Sequence, residues 1–388
     1  MYKGINVFKD INRLLLMNIN HKETYMKLIF FVFLIIFILG GGTAIGRGTV
    51  LNLGVIWGII LLVLIRFQKG TLKIPPSLAF YVIFLVILGL SMFWAPNKPA
   101  GLEYLKLYFS GMLFWLASYN LKQKMASIFD TLVLVLALIF GFLFLLNNFF
   151  GFPSGDSIGL FTYYTSNHGL IGSFWAVAFL VAIKKYVDEK KYRYILFLVL
   201  GVFFLAVSLS RSAYLALFVG VFYMFREKTL MAKYRSIFWI LALVTAALFV
   251  FSGIFKTTLF SRPYFIRGLI GVIRNPFGLG FGNFNAITSD PNVNPLGILG
   301  MAKLAHNIIL EVLVGMGLFG ISFVVWLVMA IRSVVVQDRK RLPLMYGAFF
   351  LALFVNFFFD VTYYIPTMVW LWFMALGLVQ MQSEMKLA

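Results

Sequence analysis

Apolar runs of about twenty residues, the length that crosses the hydrocarbon core of a bilayer, recur along nearly the whole of this chain. They fall at 28–45, 49–65, 76–94, 104–120, 128–150, 168–183, 194–210, 212–225, 236–254, 307–331, 344–360 and 367–381. A water-soluble domain cannot bury that many such runs. Apolar residues make up 62% of the chain and charged residues 12%, where an ordinary soluble domain carries about 25% charged. The fold expected is therefore an all-α polytopic membrane protein of about 12 transmembrane helices.

Orientation follows from the basic residues, which concentrate on the cytoplasmic side of a membrane protein. With both termini cytoplasmic, the inward segments hold 24 of the 33 Lys and Arg. The formal net charge of +20 is thus mostly a charge on one side, and it calls for no nucleic acid. Residues 1–27 carry Lys3, Lys9, Arg13, Lys22 and Lys27 among apolar residues. That stretch is too long and mixed for the n-region of a cleavable signal. It reads as a cytoplasmic amphipathic helix with Ile5, Phe8, Ile11 and Leu15 on one side. Helices 1–9 then occupy 28–254, a periplasmic loop region 255–305, and helices 10–12 with a short cytoplasmic tail 306–388. There is no cysteine, which excludes disulfides and thiolate metal sites.

The nine basic residues that break the rule are Arg47, Lys98, Lys106, Arg211, Lys256, Arg262, Arg267, Arg274 and Lys303. Five of them lie in the longest stretch between spans, 256–303. It opens on a helix-like segment, 261–273, with Pro263 near the first turn. It then becomes rich in Gly and Pro, from Pro276 to Gly300, as an ordered loop would. Arg211 stands between "YILFLVLGVFFLAV" and "FVGVFYMF". At the bilayer centre an arginine costs at least about 2.5 kcal/mol, so this one belongs at the tip of a tight hairpin on the same face as the loop. Basic charge held there against the rule points to an anionic ligand. A polyisoprenyl diphosphate suits it, because arginine forks match phosphate oxygens.

Other residues on that face are candidates. The loop "PFGLGFGNF" offers either a phosphate cradle of N–H groups or a turn-rich packing element. His168, after "FTYYTSN", is an interface or substrate-groove residue. His306 precedes an apolar helix whose N-terminus favours the neutral imidazole, able to accept a proton. Asp290 and Asp360 are alternative bases, and Asp360 is equally a counter-ion for Arg211. Tyr163, Tyr164, Tyr264, Tyr363 and Tyr364 offer faces to a glycan.

Three stretches in order, "SLSRSAYLALFVG", then "SR....R......NPFGLGFGNF", then "AHNIILEVLVGMGLFG", carry a resemblance to the O-antigen ligase and polymerase superfamily. It covers about residues 165–380, with weaker similarity through "SMFWAPNKPAGLEYLKLYF". The resemblance implies a bacterial inner-membrane glycosyltransferase with a periplasmic active site. It implies transfer of a glycan from undecaprenyl diphosphate to an acceptor hydroxyl, with inversion and without metal or other cofactor. Its first essential arginine falls on Arg211, its second on Arg262 or, in another register, Arg267, and its histidine on His306. Arg274, His168, Asn307, Tyr264 and Asp360 complete the expected substrate-binding set. The chain departs from the pattern at Gly315, where family members often carry glutamate, while Glu311 lies one turn earlier.

Chain length and one dominant loop favour a ligase, with lipid A-core as acceptor. A polymerase joining carrier-linked repeat units is the alternative within the superfamily. A lipid-linked oligosaccharide flippase is the alternative from another class, although no repeat between the halves is evident.

Overall fold

The computed structural model describes residues 19–39, 47–69, 71–120, 123–150, 168–226, scattered positions from 232 to 250, 263–288, 304–336 and 341–384. These form helices joined by turns, with no strand among them. In chain order they are α1 (Ile19–Leu39), α2 (Arg47–Lys69), α3 (Leu78–Ser91), α4 (Lys98–Asn120) and α5 (Gln123–Phe150). Next come α6 (His168–Glu189), α7 (Arg193–Ser208), α8 (Arg211–Met224), α9 (Pro263–Arg274) and α10 (Phe284–Thr288). The last are α11 (Ile308–Met316), α12 (Ile321–Val336), α13 (Arg341–Phe359) and α14 (Pro366–Glu384). Single 3-10 turns, Gly317–Gly320 and Val361–Tyr364, follow α11 and α13.

The helices turn large apolar side chains outward. Ile56, Ile59 and Val63 on α2, Val82, Ile83 and Val86 on α3, and Leu196 and Val199 on α7 are all exposed. Patches of this kind cover a surface that meets lipid. Arg47–Phe67, Phe129–Asn147, His168–Glu189 and Ile308–Val336 are each long and apolar enough to cross a membrane, and six further apolar helices are shorter. Residues 1–18 of the expected N-terminal amphipathic segment lie outside the described residues; from Ile19 the chain is already α1.

One helix organises the interior. Every residue of α14 from Pro366 to Gln380 is buried, as befits a helix that is apolar all round. α4 lies along it so closely that a Cβ on Gly377 would sit 2.6 Å from the Trp115 carbonyl oxygen. Small residues permit such close approach between membrane helices. The few polar atoms there are paired. Trp115 Nε1 donates to Gln380 at 2.9 Å, and Trp370 Nε1 donates to Ser110 at 2.8 Å.

The two ends of the bundle differ in chemistry. At one end Asp130 of α5 is buried and bridges Lys184 of α6 at 2.9 Å, and it also accepts from Tyr346 of α13 at 3.1 Å. At the other end the starts of α2, α4, α6, α8 and α11 meet the ends of α3, α7 and α13, together with the 275–288 loop. The described candidate residues, Arg211, His306, Asn307 and Asp360 among them, lie at this second end.

Candidate functional site

The α7–α8 hairpin turns on two residues, Leu209 and Ser210. Leu209 adopts a left-handed backbone, φ 46°, which costs a branched residue about 1–2 kcal/mol. The turn is held by serines: Ser208 Oγ donates to the Leu205 carbonyl at 2.8 Å, and Ser210 caps α8 by accepting from the Ala213 N–H at 3.4 Å. Arg211 therefore stands on the first residue of α8, with no acidic residue in that turn. A cation at the positive end of a helix dipole is unfavourable unless an anion joins it. The arginine at the hairpin tip is thus where the sequence predicts, and partly buried.

The second candidate loop has the same kind of backbone. His306 is also left-handed, φ 55°, directly before α11. Among the described residues only three non-glycine positions have positive φ, and Leu209 and His306 are two of them. Strain of this kind concentrates at functional sites. Asn307 secures the start of α11, its Oδ1 accepting from the Leu310 N–H at 2.9 Å and its Nδ2 donating to the Phe358 carbonyl at 3.0 Å. Its amide thus positions the turn.

The segment after α13 links these loops. Asp360 accepts from Ser212 Oγ at 3.0 Å and from the Val361 N–H at 2.6 Å. Ser212 in turn lies 3.0 Å from Ser210 Oγ. Asp360, expected as a base or as a counter-ion for Arg211, here binds the residue after it. Replacing Asp360 with alanine is expected to cost about 1.5–3 kcal/mol, the range for a hydrogen bond to a charged group. Thermal unfolding in detergent, with Asp360→Asn losing less, measures it.

His168 opens α6, exposed, with its ring edge-on to Phe144 at 5.3 Å. One turn along the same helix, Gly172 lies against Ser208, Ser210 and Ala213 of the Arg211 hairpin. α9 packs on α11 through Gly268 and Leu310, and Arg274 is exposed in its last turn, where a cation suits the dipole. Tyr264 and Arg267 fall in α9, described as backbone only. Arg262, Asp290, Tyr163 and Tyr164 lie outside the described residues.

The glycine-rich loop turns its N–H groups inward. Gly278 N–H donates to Asn275 at 2.8 Å, Leu279 to Val314 at 3.0 Å, and Gly280 to Gly315 at 2.8 Å, all to backbone carbonyls. Phe281 N–H reaches Ser91 at 3.5 Å, and Asn283 Oδ1 takes the Asn97 N–H at 2.9 Å. With those donors engaged, the loop fits the packing alternative, tying α3, α4 and α11 together. Position 315 has to be small here, since a Cβ would lie 2.7 Å from Phe281 Cα. Gly315→Ala is expected to destabilise the protein by about 1–3 kcal/mol, the usual cost of overpacking, read as a lower midpoint of thermal unfolding.

No family model, no curated protein and no solved structure matches the chain. The geometry itself therefore carries the functional reading. It includes Arg47 and Glu311, to which the sequence assigned no role in the site, and gives Tyr363 a partner where the sequence expected a glycan face. Arg47, at the start of α2, donates to Glu103 at 3.1 Å and to the Tyr364 carbonyl at 3.0 Å, with its guanidinium 3.1 Å over the Tyr364 ring. Glu311 and Tyr363 meet in the interior at 3.1 Å. Tyr363 is fully buried and Tyr364 is covered by Arg47, so neither presents an open face to a glycan. The sequence did signal Arg47, as a basic residue on the wrong side, and Glu311, as the acid one turn before Gly315.

Proposed function

We propose that this chain is a membrane glycosyltransferase of the O-antigen ligase type. It moves a polysaccharide from undecaprenyl diphosphate to a hydroxyl of lipid A-core, by inversion and without a metal, on the periplasmic face of a bacterial inner membrane. Twelve crossings with both termini cytoplasmic belong to the same proposal. The observation that carries it is that two strained loops at helix N-termini, one bearing Arg211 and the other His306, are both hydrogen-bonded to the end of α13, through Ser212 to Asp360 and Asn307 to Phe358.

The chemistry follows from those groups. α8 has 14 residues and so spans about 21 Å, less than the about 30 Å of hydrocarbon. Its tip is therefore recessed towards the membrane, where a lipid-borne diphosphate arrives. The arginine and two helix N-termini offset the charge that grows on the departing diphosphate oxygen. His306 takes the proton of the acceptor hydroxyl as that oxygen attacks the anomeric carbon from the opposite side. The glycan–diphosphate bond breaks and undecaprenyl diphosphate leaves. Arg262 or Arg267 supplies the second cation.

The test is a reconstituted reaction with an undecaprenyl-diphosphate-linked glycan, lipid A-core and EDTA. Glycan on the lipid A-core is the expected product. Longer carrier-linked chains make the protein a polymerase, and labelled carrier crossing the bilayer without any new bond makes it a flippase.

A further inference from the structure

We infer that Glu311 and Tyr363 are positioning residues for His306, a role that rests on the transfer reading above. The start of α11 is built around Glu311. Glu311 is 1% exposed, and its Oε2 accepts both the Ala305 N–H at 2.8 Å and the Tyr363 hydroxyl at 3.1 Å. Ala305 immediately precedes the left-handed His306. The two bonds of Asn307 grip the chain on the other side of the histidine. The backbone of His306 is thus clamped from both sides: Asn307 ties it to the end of α13, and the Glu311 clamp reaches a second element. That element is the 3-10 turn Val361–Tyr364.

The same turn holds the other half of the site. Asp360, its cap, binds Ser212, the neighbour of Arg211. Thr362 is hydrogen-bonded to Asn356 of α13, and Arg47 fastens the Tyr364 carbonyl from α2. A continuous set of hydrogen bonds and covalent links therefore runs from Ala305 through Glu311, Tyr363 and Asp360 to Ser212. It fixes the distance between the histidine loop and the arginine loop. A buried carboxyl group in an apolar helix is costly unless it is hydrogen-bonded; the two bonds to Oε2, with Oε1 buried and without a hydrogen-bond partner among the described residues, set the register of two catalytic loops. Near-attack geometry is sensitive on this scale: a displacement of about 1 Å costs about a hundredfold in rate.

The experiment uses the purified full chain in nanodiscs with the donor and acceptor named above. Glu311→Ala is expected to lower kcat about a hundredfold with KM for the donor unchanged, while Glu311→Gln, which keeps an accepting oxygen, stays within about threefold of wild type. Amide hydrogen exchange is expected to quicken across 304–307 in Glu311→Ala and to stay as in wild type over the rest of the bundle. Tyr363→Phe removes one hydroxyl from the same clamp and is expected to show the same pattern more weakly, which keeps the test open if Glu311→Ala does not fold. Wild-type kcat in Glu311→Ala or, where that variant fails to fold, in Tyr363→Phe overturns the inference while leaving the transfer reading standing. So does loss of Glu311→Gln activity, or exchange that rises throughout the bundle. A wild-type protein that transfers nothing overturns both.

Discussion

His306→Ala is expected to slow glycan transfer by about 10²- to 10⁴-fold, the range for losing a positioned general base. The effect falls on kcat, because the imidazole acts on the acceptor proton as the new bond forms and is not needed to hold the carrier. Donor binding to the variant is expected to match wild type. The fold is expected to survive, since the bonds of Ala305, Asn307 and Glu311 at this turn remain in the variant. Losing the histidine also relieves no cavity in the core, as it is only partly buried. Initial rates under saturating donor, with unfolding midpoints measured in parallel, separate these effects. A variant that keeps wild-type kcat removes His306 from the chemistry.

The second large effect is expected at Arg211. Arg211→Ala takes away fixed positive charge from the point where the leaving diphosphate gathers negative charge, and a loss of about 10²- to 10³-fold in kcat follows. Arg211→Lys is expected to recover only part of it, because an ammonium cannot form the paired hydrogen bonds of a guanidinium fork. The alanine variant is also expected to keep the wild-type unfolding midpoint, since the bonds of Ser208 and Ser210 that hold the turn remain. Lower activity with equal or greater stability marks a residue kept for a ligand. Lower activity accompanied by an equal fall in stability marks a packing residue.

Much of this arrangement was legible in the residues. Ser–Leu–Ser–Arg between two apolar runs announces a hairpin tip with a charge on it, and His–Asn before an apolar run announces a capped helix start. Both are local signals, set by nearby residues, and both loops lie at one end of the bundle. What was not legible is long-range. Glu311 and Tyr363 are 52 positions apart, and nothing in either neighbourhood names the other. Arg47 was visible as a misplaced charge, but its stacking on Tyr364 joins positions 317 apart. The left-handed backbones of Leu209 and His306 were hidden as well, because neither residue is a glycine that would advertise one. The glycine-rich loop left two alternatives open in the sequence. Its composition suits a phosphate cradle and close packing alike, and the N–H groups of Leu279 and Gly280 turn to α11 because close packing of two backbones needs the same small residues.

The most direct test of a transfer site at this end of the bundle is to find where the carrier sits. A photoreactive undecaprenyl diphosphate, irradiated with the protein in nanodiscs and mapped by peptide mass spectrometry, gives that position without any assumption about the acceptor. The expected result is adducts concentrated in 208–213, 304–308 and 358–364, competed by unlabelled carrier and reduced in Arg211→Ala. Adducts gathered instead at the opposite end, around Asp130 and Lys184, or spread evenly over the lipid-facing sides of α2, α3 and α7, would contradict it.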